Sequence, residues 1–288
     1  MAQRIRAHDW AATPLGPSAS WPASLRTMVE LILASGFPMI ILWGPRLLQL
    51  YNDGYRDLMH AKHPGGLGQP TEECWPEVWR LNAPIYERVR AGETVTIEDG
   101  LYPIKRHGGL TDAWFTVSYS PLRNETEEIS GVLVTLVETT ERVRAEAALQ
   151  RVARFTQAQN AAFEAAMDGA ALADSLGILS ALVHSETCGE ARTAFYLGDA
   201  DGALLRPVRG TGDMSEAYLD VVDGFRIGED SLSCGLAVPT GQPVITPDVQ
   251  TDARWTPWVW MSHEFDFRGC WSFPLKTRDR QAVGTFAM

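Results

Sequence analysis

Cys234, in the run SLSCG, stands just ahead of what reads as a helix start, where the positive end of a helix favours a thiolate and makes it a nucleophile. Its chemistry would be thiol redox. The other cysteines, Cys74, Cys188 and Cys270, are far apart, and no pair has the spacing of a zinc knuckle or a redox motif. In a reducing compartment the simplest reading of all four is a small apolar packing group. His60 and His63, in HAKHPGG, would share a helix face and so could both meet a metal, but no third ligand is close in sequence and no metal site is expected. Trp75, Trp79 and Tyr86, and a second series of Trp255, Trp258 and Trp260, read first as packing and second as walls of a small-ligand pocket. Trp79, Tyr86, Cys234 and Trp271 are the candidate pocket residues. GGLGQP lacks the Lys-Ser/Thr pair of a phosphate loop.

Those residues must be placed by a chain of 288 residues, 45% hydrophobic, which is enough for two domains with a core each. The net charge of -11 offers no dense positive footprint for phosphates, so nucleic acid is not an expected ligand. The longest apolar stretch, residues 28–44, is broken by Glu30, Gly36 and Pro38, and no membrane span is expected. MAQRIRAHDWAATPLGP has two arginines without the apolar segment of a secretory signal, so the expected location is cytoplasmic.

Residues 1–36 read as an extension plus an entry helix, with Ser20 as its cap, Pro22 in its first turn, and Leu25, Met28, Val29, Ile32 and Leu33 on one face. PMIILWG and RLLQLYN, parted by Gly44 and Pro45, predict a hairpin. Short helices and loops follow, then a helix over about 75–91. Three β-rich runs come next: TVTIEDGLYPIKR, AWFTVSYSPL and GVLVTLVE. In the second run Phe115, Val117 and Tyr119 alternate with Trp114, Thr116 and Ser118, as in a half-buried antiparallel strand. Two strands, a helical middle and three strands predict an α+β unit with a five-stranded antiparallel sheet and helices on one face.

The run LVETTERVRAEAALQ, residues 136–150, passes from strand to helix with no glycine or proline between. Thr139 or Thr140 can cap the helix, and a carboxylate is favoured at its positive end. The region of about 12–145 resembles a PAS sensor domain of the kind found at the front of bacterial sensor histidine kinases, including the HWE class. SWPASLRTMVELILASGFPMIILWGPRLLQLYNDGY carries much of that resemblance. PAS domains commonly end on an Asp-x-Thr signalling motif and a charged pair. ETTER matches with Glu138 in the acidic place, one methylene longer than aspartate, then Thr140, Glu141 and Arg142. The resemblance implies a PAS domain over 37–140 whose last strand drives a signalling helix over 141–168. That helix has no breaker before Gly169, and Leu149, Val152, Phe163 and Ala166 form a stripe interrupted by Thr156 and Gln159. Pairing with a second copy as a parallel homodimer is the preferred expectation, and packing along its own domains is the alternative.

Beyond it, ALADSLGILSALVHSE predicts an amphipathic helix, and ARTAFYLGD and ALLRPVRGTG predict strands joined by a DADG turn. A helix near 214–222, a loop over 224–255, a Trp-rich helix near 255–266 and the strands CWSFPLKT and AVGTFAM complete the pattern. This half, 169–288, resembles a GAF sensor domain, an α/β fold, through SCGLAVPTGQPVITPDVQTDARW and GCWSFPLKTRDRQAVGTFAM. The resemblance implies a further strand and closing helix, an incomplete domain, and an output domain beyond Met288. It also implies a non-catalytic sensory fragment of a two-component histidine kinase.

One rival is a GAF-fold thiol redox enzyme, since SLSCG is similar to an element of free methionine sulfoxide reductases with Cys234 as nucleophile; Cys270 lies outside that family's second reactive motif. The other is a dimerisation scaffold without ligands. No cofactor is firmly implied. Haem is disfavoured because the helix PEVWRLNAPIYERVR has no histidine, a flavin adduct because no NCRFLQ-like run exists, and a bilin because SCG does not resemble an attachment motif.

Overall fold

A computed structural model of the chain describes residues 1–106 and 108–288. It divides into two compact units, Met1–Ala148 and Leu149–Met288.

The first unit begins with α1 (Ala2–Ala7) and α2 (Ala23–Ala34) and continues with the hairpin β1 (Met39–Trp43) and β2 (Leu48–Tyr51). Helices α3 (Asp53–Met59), α4 (Thr71–Cys74) and α5 (Pro76–Arg90) follow. The long strands β3 (Val95–Arg106), β4 (Gly109–Arg123) and β5 (Ile129–Glu138) complete a five-stranded antiparallel sheet in the order β2-β1-β5-β4-β3. Every residue of β1 is buried, because both faces of this strand are covered. In β4, by contrast, Ala113, Phe115, Val117 and Tyr119 are buried and their neighbours only partly so.

One expectation is corrected here. Ser20 does not cap α2; its Oγ donates to the Pro17 carbonyl at 2.7 Å. The open end of α2 is met instead by Glu125, whose carboxylate accepts from the Ser24 amide at 2.7 Å. Residues 1–36 share the core of this unit. Ile5, Trp10, Trp21, Leu25 and Ile32 are buried in one core with Ile41 and Trp43, since two indoles are large apolar groups that gain by leaving water.

A 28-residue helix, α6 (Thr140–Met167), runs across the boundary between the units. The second unit then holds α7 (Leu172–Glu186), β6 (Ala194–Gly198), β7 (Leu204–Pro207), α8 (Glu216–Val222) and β8 (Phe225–Arg226). After these come α9 (Ser233–Thr240), β9 (Val244–Thr246), α10 (Val259–Glu264), β10 (Cys270–Lys276) and β11 (Ala282–Ala287). The strands form a six-stranded antiparallel sheet in the order β8-β7-β6-β11-β10-β9, with β11 in its interior.

The stretch 224–255, expected as a loop, contains β8, α9 and β9. The Trp-rich segment is not one helix. Pro257 has no N–H to give, and Ala253–Trp258 winds as a 3₁₀ turn ahead of α10.

Candidate functional site

In the first unit a cavity of about 70 Å³ lies between the sheet and the helices α3 to α5. One water needs on the order of 10–15 Å³ by this measure, so the space holds a molecule of several heavy atoms. Ile40, Val117 and Leu136 give it apolar walls, and Tyr55, Tyr86, Tyr102, Tyr119 and Asn82 give it polar edges. The Tyr102 and Tyr119 hydroxyls are 3.1 Å apart, and Tyr119 donates to Asn82 Oδ1 at 3.1 Å. Burial pushes all four phenols above the ordinary tyrosine value, so each keeps its proton. Thr71, on the wall, has a buried Oγ1 without a hydrogen-bond partner. None of the lining side chains is charged.

The cavity wall continues into the strand-to-helix junction. Phe115 lines the cavity and stands opposite Glu138 in the β4–β5 ladder. The Arg106 guanidinium lies over the Phe115 ring, 5.8 Å from its centre, and donates to both carboxylate oxygens of Glu138, at 2.7 and 2.8 Å. Such a fork fixes direction as well as distance. With side chains 13% and 26% exposed, the pair is shielded from bulk water far better than a surface ion pair. Arg106 holds the Glu138 carboxyl below the usual glutamate range, against the upward push of burial.

Thr140, first residue of α6, donates its hydroxyl to Glu138 Oε1 at 2.8 Å and accepts from the Trp114 amide of β4 at 3.0 Å. Its side chain therefore fastens the helix to the sheet rather than capping the helix. Arg142 pairs with Asp99 of β3, lowering that carboxyl, and with Glu146 at 2.9 Å. Arg144 lies over the Trp114 ring at 5.6 Å, while Glu141 is exposed. Glu138, Thr140 and Arg142 were legible in the sequence; Arg106, Asp99 and Trp114 were not. Their partners lie 26 to 43 residues away, with no local pattern to mark them.

In the second unit a cavity of about 30 Å³ is walled by Leu205, Tyr218, Val222, Trp255, Met261 and both Cys234 and Cys270. Cys234 sits in the first turn of α9 and Cys270 begins β10. Ser272 Oγ lies 3.0 Å from Cys234 Sγ and 3.9 Å from Cys270 Sγ. A hydrogen bond from Cys270 holds the Cys234 thiol below its ordinary value, and the same contact together with burial pushes Cys270 up.

Of the four candidate pocket residues, Tyr86 and Cys234 line the two cavities. Trp79 and Trp271 do not: Trp79 packs on Tyr86 with ring centres 5.9 Å apart, and Trp271 is 41% exposed. Strand alternation turns Trp271 to the face opposite its neighbours Cys270 and Ser272, which are buried. Trp75 and Trp255 are the indoles that reach the cavities. His63 Nδ1 is 3.0 Å from the Tyr51 hydroxyl. Among the described residues no three His, Cys, Asp or Glu side chains cluster as a metal site, and no helix is long and apolar enough to cross a membrane.

Comparison with known proteins gives these units their class. The family model for the GAF domain matches residues 138–288 and that for the PAS fold matches residues 47–144. The chain belongs to the GAF domain family, with a PAS fold ahead of the GAF domain. Similar solved structures include the A. aeolicus nlh2 GAF domain in an inactive state, 13% identical, covering 48% of this chain and 78% of that one, with a TM-score of 0.37. The PAS domain of Bordetella pertussis BvgS is 21% identical over 44% of this chain and 95% of that one, TM-score 0.33. An RNA-binding light-oxygen-voltage receptor is 19% identical over 51% of this chain, TM-score 0.36, and the match spans 42% of that receptor's length. A search of the curated proteins returned no match.

Proposed function

We propose that this chain is the ligand-sensing input of a bacterial two-component protein whose output is a histidine kinase, acting without catalysis of its own. PAS and GAF are sensory domains, and their succession supports a signalling module. The PAS cavity takes up a small uncharged molecule with an apolar body and one or more hydrogen-bonding groups. An ion there would lose its hydration without meeting a counter-charge, whereas a hydroxyl or carbonyl would meet Thr71, Asn82 and the tyrosines.

The observation that carries this reading is the chain of contacts from cavity to helix: Phe115, Arg106, Glu138, Thr140. A ligand that displaces Phe115 moves Arg106, and the forked pair passes that displacement to the first turn of α6. Farther along, Arg151 and Arg154 hold Glu186 of α7 at 3.2 and 3.0 Å, so the helix is anchored at both stages. Between and beyond those anchors Leu149, Val152 and Phe163 are 62 to 70% exposed. Paired in parallel with a second copy, the helix would turn a local shift into a change of output.

The test is Thr140→Ala in the full-length protein, which should fold normally yet lose coupling between ligand and output. Output regulation indistinguishable from wild type would refute the junction's role. Native mass spectrometry of freshly purified protein, with an absorbance spectrum of the same sample, asks whether a small molecule is retained.

A further inference from the structure

Two thiols in the GAF cavity are left unused by the sensing route through the PAS half. Cys234 and Cys270 are far apart in sequence, yet α9 and β10 bring them to one cavity wall, where the Ser272 hydroxyl lies 3.0 Å from the Cys234 sulfur and 3.9 Å from that of Cys270. The Cys234 thiol is held below its ordinary value and the buried Cys270 thiol above it, the division of labour needed for attack and resolution. Cys234 is partly exposed and Cys270 buried, so the attacking sulfur is the more accessible one. The cavity of about 30 Å³ has room for a molecule the size of about two waters. Leu205, Val222 and Met261 on its walls exclude a charged oxidant or one as large as a peptide disulfide.

We propose that Cys234 and Cys270 form a peroxide-responsive dithiol, with hydrogen peroxide as oxidant and a Cys234–Cys270 disulfide as product. The Cys234 sulfur attacks one peroxide oxygen and the O–O bond breaks. The sulfur keeps that hydroxyl as a sulfenic acid, while the other oxygen takes the Cys234 proton and leaves as water. Cys270 then attacks the Cys234 sulfur, the S–O bond breaks, and the hydroxyl departs with the Cys270 proton as a second water. The two sulfurs supply two electrons and one peroxide accepts both. The product clamps α9 to β10 across the cavity wall, so oxidation closes the space the reduced protein keeps open.

The experiment uses the full chain carrying Cys188→Ser, because Cys188 is exposed and would react on its own account. Reduced protein is treated with a small excess of hydrogen peroxide, alkylated under denaturing conditions, digested and weighed. The expected result is a free-thiol count lower by two per chain, a peptide joining Cys234 to Cys270, and recovery of both thiols with dithiothreitol. In the additional variant Cys270→Ser, Cys234 should stop at the sulfenic acid and be captured by dimedone. The proposal is overturned if both thiols stay alkylatable at peroxide levels that oxidise Cys188 in the unsubstituted protein. It is equally overturned if Cys234 runs on to sulfinic acid while Cys270 remains free. The peptide map does not depend on whether Cys270→Ser folds.

Discussion

Glu138 makes its stabilising contacts only when ionised, which ties the junction to pH. In the unfolded chain a glutamate protonates near pH ~4.3, whereas in the folded protein Arg106 keeps this one charged to lower pH. The stabilisation is therefore complete above the ordinary glutamate range and fades as pH falls through the depressed folded value. Glu138→Gln should lower the urea stability by about 1–2 kcal/mol at neutral pH, toward the lower end of charge-assisted hydrogen bonds because the pair is partly wet. The gap between wild type and variant should narrow as the titration is carried into acid; a gap that stays constant would remove the ion pair as its source. A double-mutant cycle with Arg106→Met should return a coupling of about 0.5–3 kcal/mol. The sequence exposed the carboxylate and the threonine because they sit together in ETTER. It did not expose Arg106, at the far end of the hairpin strand β3, because strand pairing sets that contact and local spacing does not.

Elements with strong periodicity were legible and those rich in glycine and proline were not. The alternation in β4 and the 3- and 4-residue spacing in α2 predict strand and helix directly. SCGLAVPT, by contrast, shows no more than a helix start at Cys234 within a stretch that otherwise reads as loop, because Gly235 and Pro239 are poor helix formers. Close packing explains the glycine: a Cβ on Gly235 would lie 2.2 Å from the Arg226 carbonyl oxygen. Gly284 in β11 is a sharper case, since its Cβ would lie 2.1 Å from the Tyr196 carbonyl oxygen of β6. Gly284→Ala should push the strands apart at the centre of the sheet and destabilise the GAF unit by about 1–3 kcal/mol or more. Calorimetry should show one transition displaced downward; an unmoved profile would mean that β6 and β11 separate at little cost. Cys234 and Cys270 were each visible in the sequence, and their meeting was not, because it depends on how α9 packs on β10, which local spacing does not set.

For the molecule as a whole, the exposed stripe of α6 sets the expected state of association. Leu149 and Phe163 occupy equivalent positions two heptads apart, with polar Thr156 midway between them. Sedimentation equilibrium should therefore report a dimer, and Leu149→Glu with Phe163→Glu should weaken it at least about tenfold by placing like charges in the seam. A concentration-independent monomer in the unsubstituted protein would exclude pairing through this helix. The place of β11 carries a different consequence, for the order in which the GAF unit is made. Strands β6 to β8 and strands β9 to β10 are synthesised first, but no ladder joins the two groups until β11 is laid between them. During translation each group waits with an open edge, the kind of surface that captures stray strands. A ribosome that pauses before Ala282 would leave both edges bare, so how promptly β11 follows β10 out of the ribosome bears on how often this unit goes astray.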